Sequence, residues 1–441
     1  MKIKCCNKQG ILLNTNNITS TNPVYLSNNQ LSHMEKYWLN HAKILHDKHL
    51  ELLTGLTCYT RINSGNTPSV SLALNCIAPL YIPFIVHVLD DAQANNIKQL
   101  FFLSRDGYIL YKITSQLKKA YHNIELNYLN VSRKSVLMPY LIGSKPKELL
   151  ALYPNNTIKE QNTDIILSKL SITKKDLNYC NITIPFKKIR TQEEEKELLK
   201  IVFSPPLYNI WQERHLSQKK DFLSYLNQKG ILKMDSIAFV DVGWLGTTSI
   251  MLHSILKANN PNLKTNKTYF WGARKDVIKF QDNIIDVFTD FYDGGGRLYT
   301  FIEDYCSACP HPTTIGYKNG EPIFKEKELS EKYLSLVQDN TSVCENIART
   351  ISELNISPIS LKKWTKLTYK ALNEFLINID YSPLENVPDF DEILVKKLTF
   401  NEIVSIMKRK RVTTMDIASL DYTIGHNTRR ALFKIAGINL K

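Results

Sequence analysis

The segment Ile237-Ala238-Phe239-Val240-Asp241-Val242-Gly243-Trp244-Leu245-Gly246-Thr247-Thr248 decides how the rest of the chain is read. An apolar run ends in an acid, a loop with two glycines follows, and two threonines open a helix carrying Met251, Leu252, Ile255 and Leu256. Glycines let backbone approach an anion without a Cβ in the way, while helix N-terminal N–H groups and threonine hydroxyls donate to its oxygens. A plain strand-to-helix turn with a threonine N-cap shares some of these residues. It has no need of Asp241, two glycines and two threonines together. The pattern predicts an anion cradle at the carboxyl end of a buried parallel strand.

Working outward, a second strand of the same kind precedes it. Gln99-Leu100-Phe101-Phe102-Leu103 is a short apolar run bounded by polar residues, as a strand buried on both faces should be. Before it, Ile85, Val88, Leu89 and Ala92 follow helical spacing; after it come Ser104-Arg105-Asp106-Gly107 and a helix with Ile109, Ile113 and Leu117 on one stripe. Glu125–Val131 is a third strand and ends in Ser132-Arg133-Lys134-Ser135. Ser236–Asp241 and Thr268–Gly272 complete the expected strands. This alternation predicts an α/β fold, a parallel sheet flanked by helices.

The boundaries follow from texture. Residues 1–70, rich in Asn, Thr and Ser, predict a loosely packed N-terminal extension with one helical stretch near His33–Leu56. Residues 71–320 are expected to form the α/β core, with a helical insertion at about 145–230 whose Glu193–Glu197 run reads as a solvated face. Residues 280–325 read as irregular, with Gly294-Gly295-Gly296 and Pro310-His311-Pro312. Residues 321–441 read as a helical C-terminal domain containing Lys408-Arg409-Lys410-Arg411.

At 441 residues, 43% hydrophobic and 22% charged, the chain has the composition of a folded protein with a large core. The apolar run Ile77–Leu89 contains Pro79, Pro83 and His87, and reads as the start of a buried helix. With no targeting pattern at Met1–Lys8, a cytoplasmic location is expected and the eight cysteines are expected reduced. Cys306-Ser-Ala-Cys309 has no second Cys-x-x-Cys to complete a zinc set. A net charge of +14 fits nucleic acid, an anionic membrane face or a polyanionic small substrate.

Arg105, placed after a parallel strand, faces the crevice where open α/β sheets bind ligands. It can pair bidentately with a diphosphate, and Asp106 can hold a Mg²⁺-bound water. An Arg–Asp pair stabilising its own turn is the alternative. Ser132, Arg133 and Lys134 add polar and cationic groups to the same sheet edge.

Phe102–Gly107, Val131-Ser132-Arg133 and Val240–Thr247 together resemble type I phosphoribosyltransferases. More specifically, they resemble a module of bacterial polysaccharide biosynthesis proteins that is often fused to a HAD-type phosphatase. The resemblance covers about residues 75–320. It implies transfer of 5-phosphoribose from phosphoribosyl pyrophosphate (PRPP) to a glycan hydroxyl in capsule or O-antigen synthesis, as the first step of ribofuranose addition. It also implies Mg²⁺ as cofactor. Ser104, Arg105, Asp106, Gly107, Ser132, Arg133 and Lys134 would hold pyrophosphate, and Asp241 the ribose. Gly243, Gly246, Thr247 and Thr248 would hold the 5-phosphate, with Trp244 against a sugar ring or in the helix–sheet packing. Asp241 is followed by Val242 where the family has a second acid, so it is expected to act alone.

No Asp-x-Asp phosphatase motif is seen, since Asp286-Val287-Phe288-Thr289 has one acid in place; a separate HAD phosphatase is expected. Glu303, in Phe301-Ile302-Glu303-Asp304, and Asp106 are the candidates for general base. A polyprenyl-diphosphate-linked acceptor would suit basic helices at the inner membrane face. Three other readings stand beside this one: a nucleotide-sugar glycosyltransferase, a nucleic-acid-binding protein and a non-catalytic scaffold. The aromatics do not interleave with the basic residues, which speaks against nucleic acid.

Overall fold

The computed structural model describes residues 2–6, 10–14, 24–27, 29–118, 121, 123–143, 145–150, 152–153, 157–273, 285–289, 301–326 and 328–376. The glycine run at 294–296 and the basic cluster at 408–411 lie outside them.

The chain opens with three antiparallel strands, β1 (Lys2–Cys6), β2 (Gly10–Asn14) and β3 (Val24–Ser27). Helices α1 (His33–Ile44) and α2 (Lys48–Asn63) follow. These helices correct the expectation of loose packing. Trp38, Leu50 and Leu53 are fully buried and join the main core. Arg61 donates from Nε and Nη2 to the two carboxylate oxygens of Glu35 at 2.8 and 2.9 Å, in a buried bidentate pair. The polar composition concealed this, because the apolar residues sit on a few helical stripes.

A short helix α3 (Pro68–Leu72) runs through a π-turn at Ala73–Ile77 into α4 (Ala78–Ala94). Ser69–Ala94 is long and apolar enough to cross a membrane, but 89% of its most apolar window is buried inside the protein.

Five parallel strands form the central sheet: β4 (Gln99–Leu103), β5 (Glu125–Leu129), β6 (Ser236–Trp244), β7 (Thr265–Ala273) and β8 (Ile285–Thr289), in spatial order β5-β4-β6-β7-β8. β8 falls where an irregular segment was expected. Its five residues are too few, and too mixed in polarity, to announce a strand.

Side chains alternate between two cores. Leu100 and Phe102 of β4 and Ala238 and Val240 of β6 share one core with residues of Ala78–Ala94 and Gly107–Leu117, while Phe101, Leu103, Ile237 and Phe239 join the core on the other face. Burial on both faces is the normal state of a parallel sheet, and explains the unbroken apolar runs.

Helices connect the strands: α5 (Gly107–Leu117) after β4 and α6 (Arg133–Leu141) after β5. Between β5 and β6 also come α7 (Pro146–Leu150), α8 (Thr163–Lys169), α9 (Lys174–Tyr179), α10 (Gln192–Val202) and α11 (Pro205–Gln228). After β6 comes α12 (Thr247–Asn259). A hairpin, β9 (Thr314–Lys318) with β10 (Glu321–Phe324), precedes α13 (Glu331–Ser352) and α14 (Pro358–Leu376). α13 packs on α5 and α14 on α4.

The strand order locates the site. β4 comes first, its successor β5 lies on one side, and the chain returns to place β6 on the other. The order therefore reverses between β4 and β6, and the carboxyl ends of such a pair open into the crevice that binds ligands in open α/β sheets.

Candidate functional site

The two loops singled out in the sequence meet at that switch point. Phe102 pairs with Val240, so Ser104–Gly107 and Asp241–Thr248 leave the sheet side by side. The sequence expectation that they share one sheet edge agrees with the structure.

Both loops feed helices whose N-termini carry no side-chain cap. Asp106 is the N-cap of α5 and Gly246, at φ +63°, that of α12. Elsewhere α11 also lacks such a cap at Ser204, while Ser32, Asp47, Thr67, Ser132, Asn162, Thr173, Thr191 and Ser330 each cap their helix through a side-chain hydrogen bond. An uncapped N-terminus presents N–H groups that have no intrahelical carbonyl, and the helix dipole adds partial positive charge. Two of them here converge on the switch point. Thr247 is buried and Thr248 half-buried in the first turn of α12. The Ser104–Arg105 and Gly243–Trp244 peptides are both cis.

Asp106, Asp241 and Glu303 form an electrostatically linked acidic group. Asp241 is half-buried, and Val242 donates its N–H to Asp241 Oδ1 at 2.8 Å. Burial, then the charges of Asp106 and Glu303, push its carboxyl well above the usual range despite that bond. Glu303 is exposed, on the π-turn Ile302–Cys306. Arg105 is exposed beside them, and its charge reaches Cys309, His311 and Tyr333. All four catalytic candidates thus fall within one electrostatic neighbourhood.

Other candidates have different work. Ser104 Oγ donates to Val131 O at 2.7 Å and accepts from Val131 N–H at 3.0 Å, tying the β4 and β5 loops together. Ser132 Oγ accepts the Ser135 N–H at 3.1 Å and donates to Thr314 O at 2.6 Å. In this structure both hydroxyls are engaged with backbone groups. Gly107 is also a packing residue: a Cβ there would lie 3.0 Å from the Phe102 carbonyl carbon.

Gly243 remains in the sheet, paired with Gly272, because β6 continues to Trp244. At φ +140° a Cβ would fall 1.8 Å from Gly272 O, so glycine is required for strand contact and not for phosphate approach. Trp244 packs over Gly272 and edge-on to Trp271, with ring centres 5.9 Å apart. Of its two expected roles, this is the packing one. Arg133 and Lys134 are exposed on the first turn of α6, at the neighbouring strand end.

Residues without a motif complete the surroundings. Tyr81 is buried on α4 and shares a 2.6 Å hydrogen bond with Ser307. Burial lifts its phenol well above the usual value, with Cys306, Asp106 and Glu303 acting in the same direction. Tyr128 on β5 shares a 2.8 Å bond with His311 Nε2, whose Nδ1 lies 2.9 Å from Pro312 O. Tyr333 O–H donates to Cys309 O at 3.1 Å and its oxygen accepts the Cys309 N–H at 3.2 Å. The only sequence signals for this group were the Cys306-x-x-Cys309 and Pro310-His311-Pro312 patterns.

The donors suit Mg²⁺ in kind, being carboxylate oxygens whose mutual repulsion a cation relieves. Among the described residues no three His, Cys, Asp or Glu side chains gather tightly enough to hold a metal ion alone.

No protein-family model matches the chain, and no curated protein does.

Proposed function

We propose that the protein is a PRPP-dependent phosphoribosyltransferase that moves 5-phosphoribose to a hydroxyl of a glycan acceptor. The observation carrying this reading is the pair of uncapped helix N-termini at one switch point, bordered by Arg105 and three carboxylates. A ligand with two separate phosphate groups joined by a polyhydroxylated carbon frame matches that layout. The first turn of α12, with Thr247, Thr248 and the Gly246 turn, holds the 5-phosphate. Arg105 and the first turn of α5 hold the pyrophosphate. Asp241 accepts from the ribose hydroxyls.

The C1–pyrophosphate oxygen bond breaks as the acceptor oxygen bonds to C1. Arg105 stabilises the departing charge, and the acceptor proton passes to Glu303 or Asp106. Asp106 would hold Mg²⁺, which would supply charge neutralisation at the leaving group. In-line displacement on the α-donor gives a β-ribofuranosyl 5-phosphate. A separate HAD phosphatase then removes the phosphate, in a cytoplasmic or membrane-peripheral synthesis of capsule or O-antigen.

Incubation with PRPP, Mg²⁺ and glycan acceptors should release pyrophosphate and add a phosphopentose to the acceptor. The rival donor is a nucleotide sugar, since the same edge suits its diphosphate. Thermal stabilisation by uridine or cytidine diphosphate sugars, but not by PRPP, would replace the proposal with that reading.

A further inference from the structure

Next to Arg105 a line of half-buried aromatic rings leaves the switch point. Tyr108 lies 5.9 Å from Tyr128, Tyr128 lies 5.6 Å from His311, and His311 lies 5.2 Å from Phe324, between ring centres. Tyr111 stands behind Tyr128 at 6.0 Å. The rings come from α5, β5, the 307–313 loop and the end of β10, so no single motif reveals them. Their positions are fixed by polar bonds: Tyr128 to His311, His311 to Pro312 O, and Tyr333 to the Cys309 backbone.

Core packing does not account for the whole strip. Tyr108, His311 and Phe324 all keep part of their surface in solvent, and none belongs to the two buried cores. Partly exposed aromatic rings beside an active site offer a stacking surface with a polar rim. The rim here carries both signs of charge: Arg105 acts on His311, Lys112 Nζ lies 5.9 Å from the Tyr108 ring centre, and Asp106 acts on the Tyr128 phenol. Such a rim both donates and accepts hydrogen bonds. A ligand with several hydroxyls, which do both, and an apolar face suits it.

We propose that the Tyr108–Tyr128–His311–Phe324 strip is the acceptor subsite, binding the C–H face of a pyranose ring. The inference deepens the transferase reading and rests on it for the word acceptor, though not for the binding itself. A nucleobase also stacks on aromatics, but the neighbouring rings meet at 81°, 68° and 51° and form no parallel-walled slot. A sugar needs only one face.

Saturation-transfer NMR on the full chain, without PRPP, tests this with methyl β-D-galactopyranoside, methyl β-D-glucopyranoside and adenine as probes. Saturation should reach the ring C–H protons of at least one glycoside and should fall by half or more in Tyr108→Leu and in Phe324→Ala. Tyr108→Leu keeps an apolar side chain without the ring, and its melting temperature shows whether it folds. Thermal shift by PRPP with Mg²⁺ should be the same in Phe324→Ala as in the parent. Glycoside signals that are absent, or unchanged in folded variants, overturn the subsite, as does adenine binding abolished by the same substitutions. Loss of the PRPP shift in the parent chain would instead overturn the donor reading and leave the glycoside result standing.

Discussion

Asp106 and Asp241 act on each other as like charges across the junction of two adjacent parallel strands. Burial first, and Asp106 second, raise the Asp241 carboxyl well above its ordinary value. Such a group costs the fold stability once ionised, and a bound cation would relieve it.

Asp241→Asn should therefore abolish transfer while stabilising the protein. A carboxyl raised in the folded state contributes its stability below the unfolded pKa of about 3.9 and loses it as pH rises through the folded value. The melting temperature of the variant should exceed the parent's by roughly 2 °C or more at about pH 8, with a smaller gap near pH 5. A variant that melts below the parent at both pH values would remove Asp241 from this role.

Arg105→Ala should leave the melting temperature within about 1 °C, because the side chain is exposed. Its PRPP affinity should fall about 10-fold or more, the worth of one charge-assisted contact of about 1.5–3 kcal/mol. Isothermal titration with PRPP and Mg²⁺ reads this directly. Unchanged affinity would assign the guanidinium to its own turn.

Ser104→Ala and Gly243→Ala test structural roles. The first removes both bonds to Val131 and should cost about 1–3 kcal/mol in urea unfolding. The second drives a methyl group into Gly272 O and should yield little soluble protein. A Ser104→Ala chain of parental stability that no longer binds PRPP would return that hydroxyl to the ligand.

His253 gives a separate acid response. It is buried between α12 and β7, with Nε2 2.7 Å from Thr268 Oγ1, and burial pulls its pKa down to about 3. Its neutral form is required, so stability is complete above about pH 6.5 and is lost as pH falls toward 3. His253→Gln should flatten stability over that interval in acid-unfolding curves. An unchanged slope would place the acid sensitivity elsewhere.

The parallel sheet was readable in sequence because its strands are buried on both faces and so are apolar without interruption, as in Leu100–Leu103 and Ile237–Val240. Asp241, Arg105, Asp106 and Glu303 were readable as charged residues at strand and loop ends. What sequence could not reveal was direction. Ser104 and Ser132 look like ligand donors, yet their hydroxyls turn to backbone carbonyls 27 and 182 residues away. Gly243 looks like a phosphate glycine, yet it is demanded by a neighbouring strand. Tyr81, Tyr128, His311 and Tyr333 reach the site from four separate elements, a convergence that only tertiary packing creates.

The seating of α13 on α5 and of α14 on α4 bears on how the protein can be divided. Val343, Cys344, Ile347, Trp364 and Leu372 share one core with the sheet-facing residues of α4. A fragment ending near residue 326 would bare that apolar surface and lose Tyr333, the anchor of the Cys309 backbone. The C-terminal helices are therefore a wall of the unit that contains the sheet, and a shortened chain lacking them should precipitate when expressed.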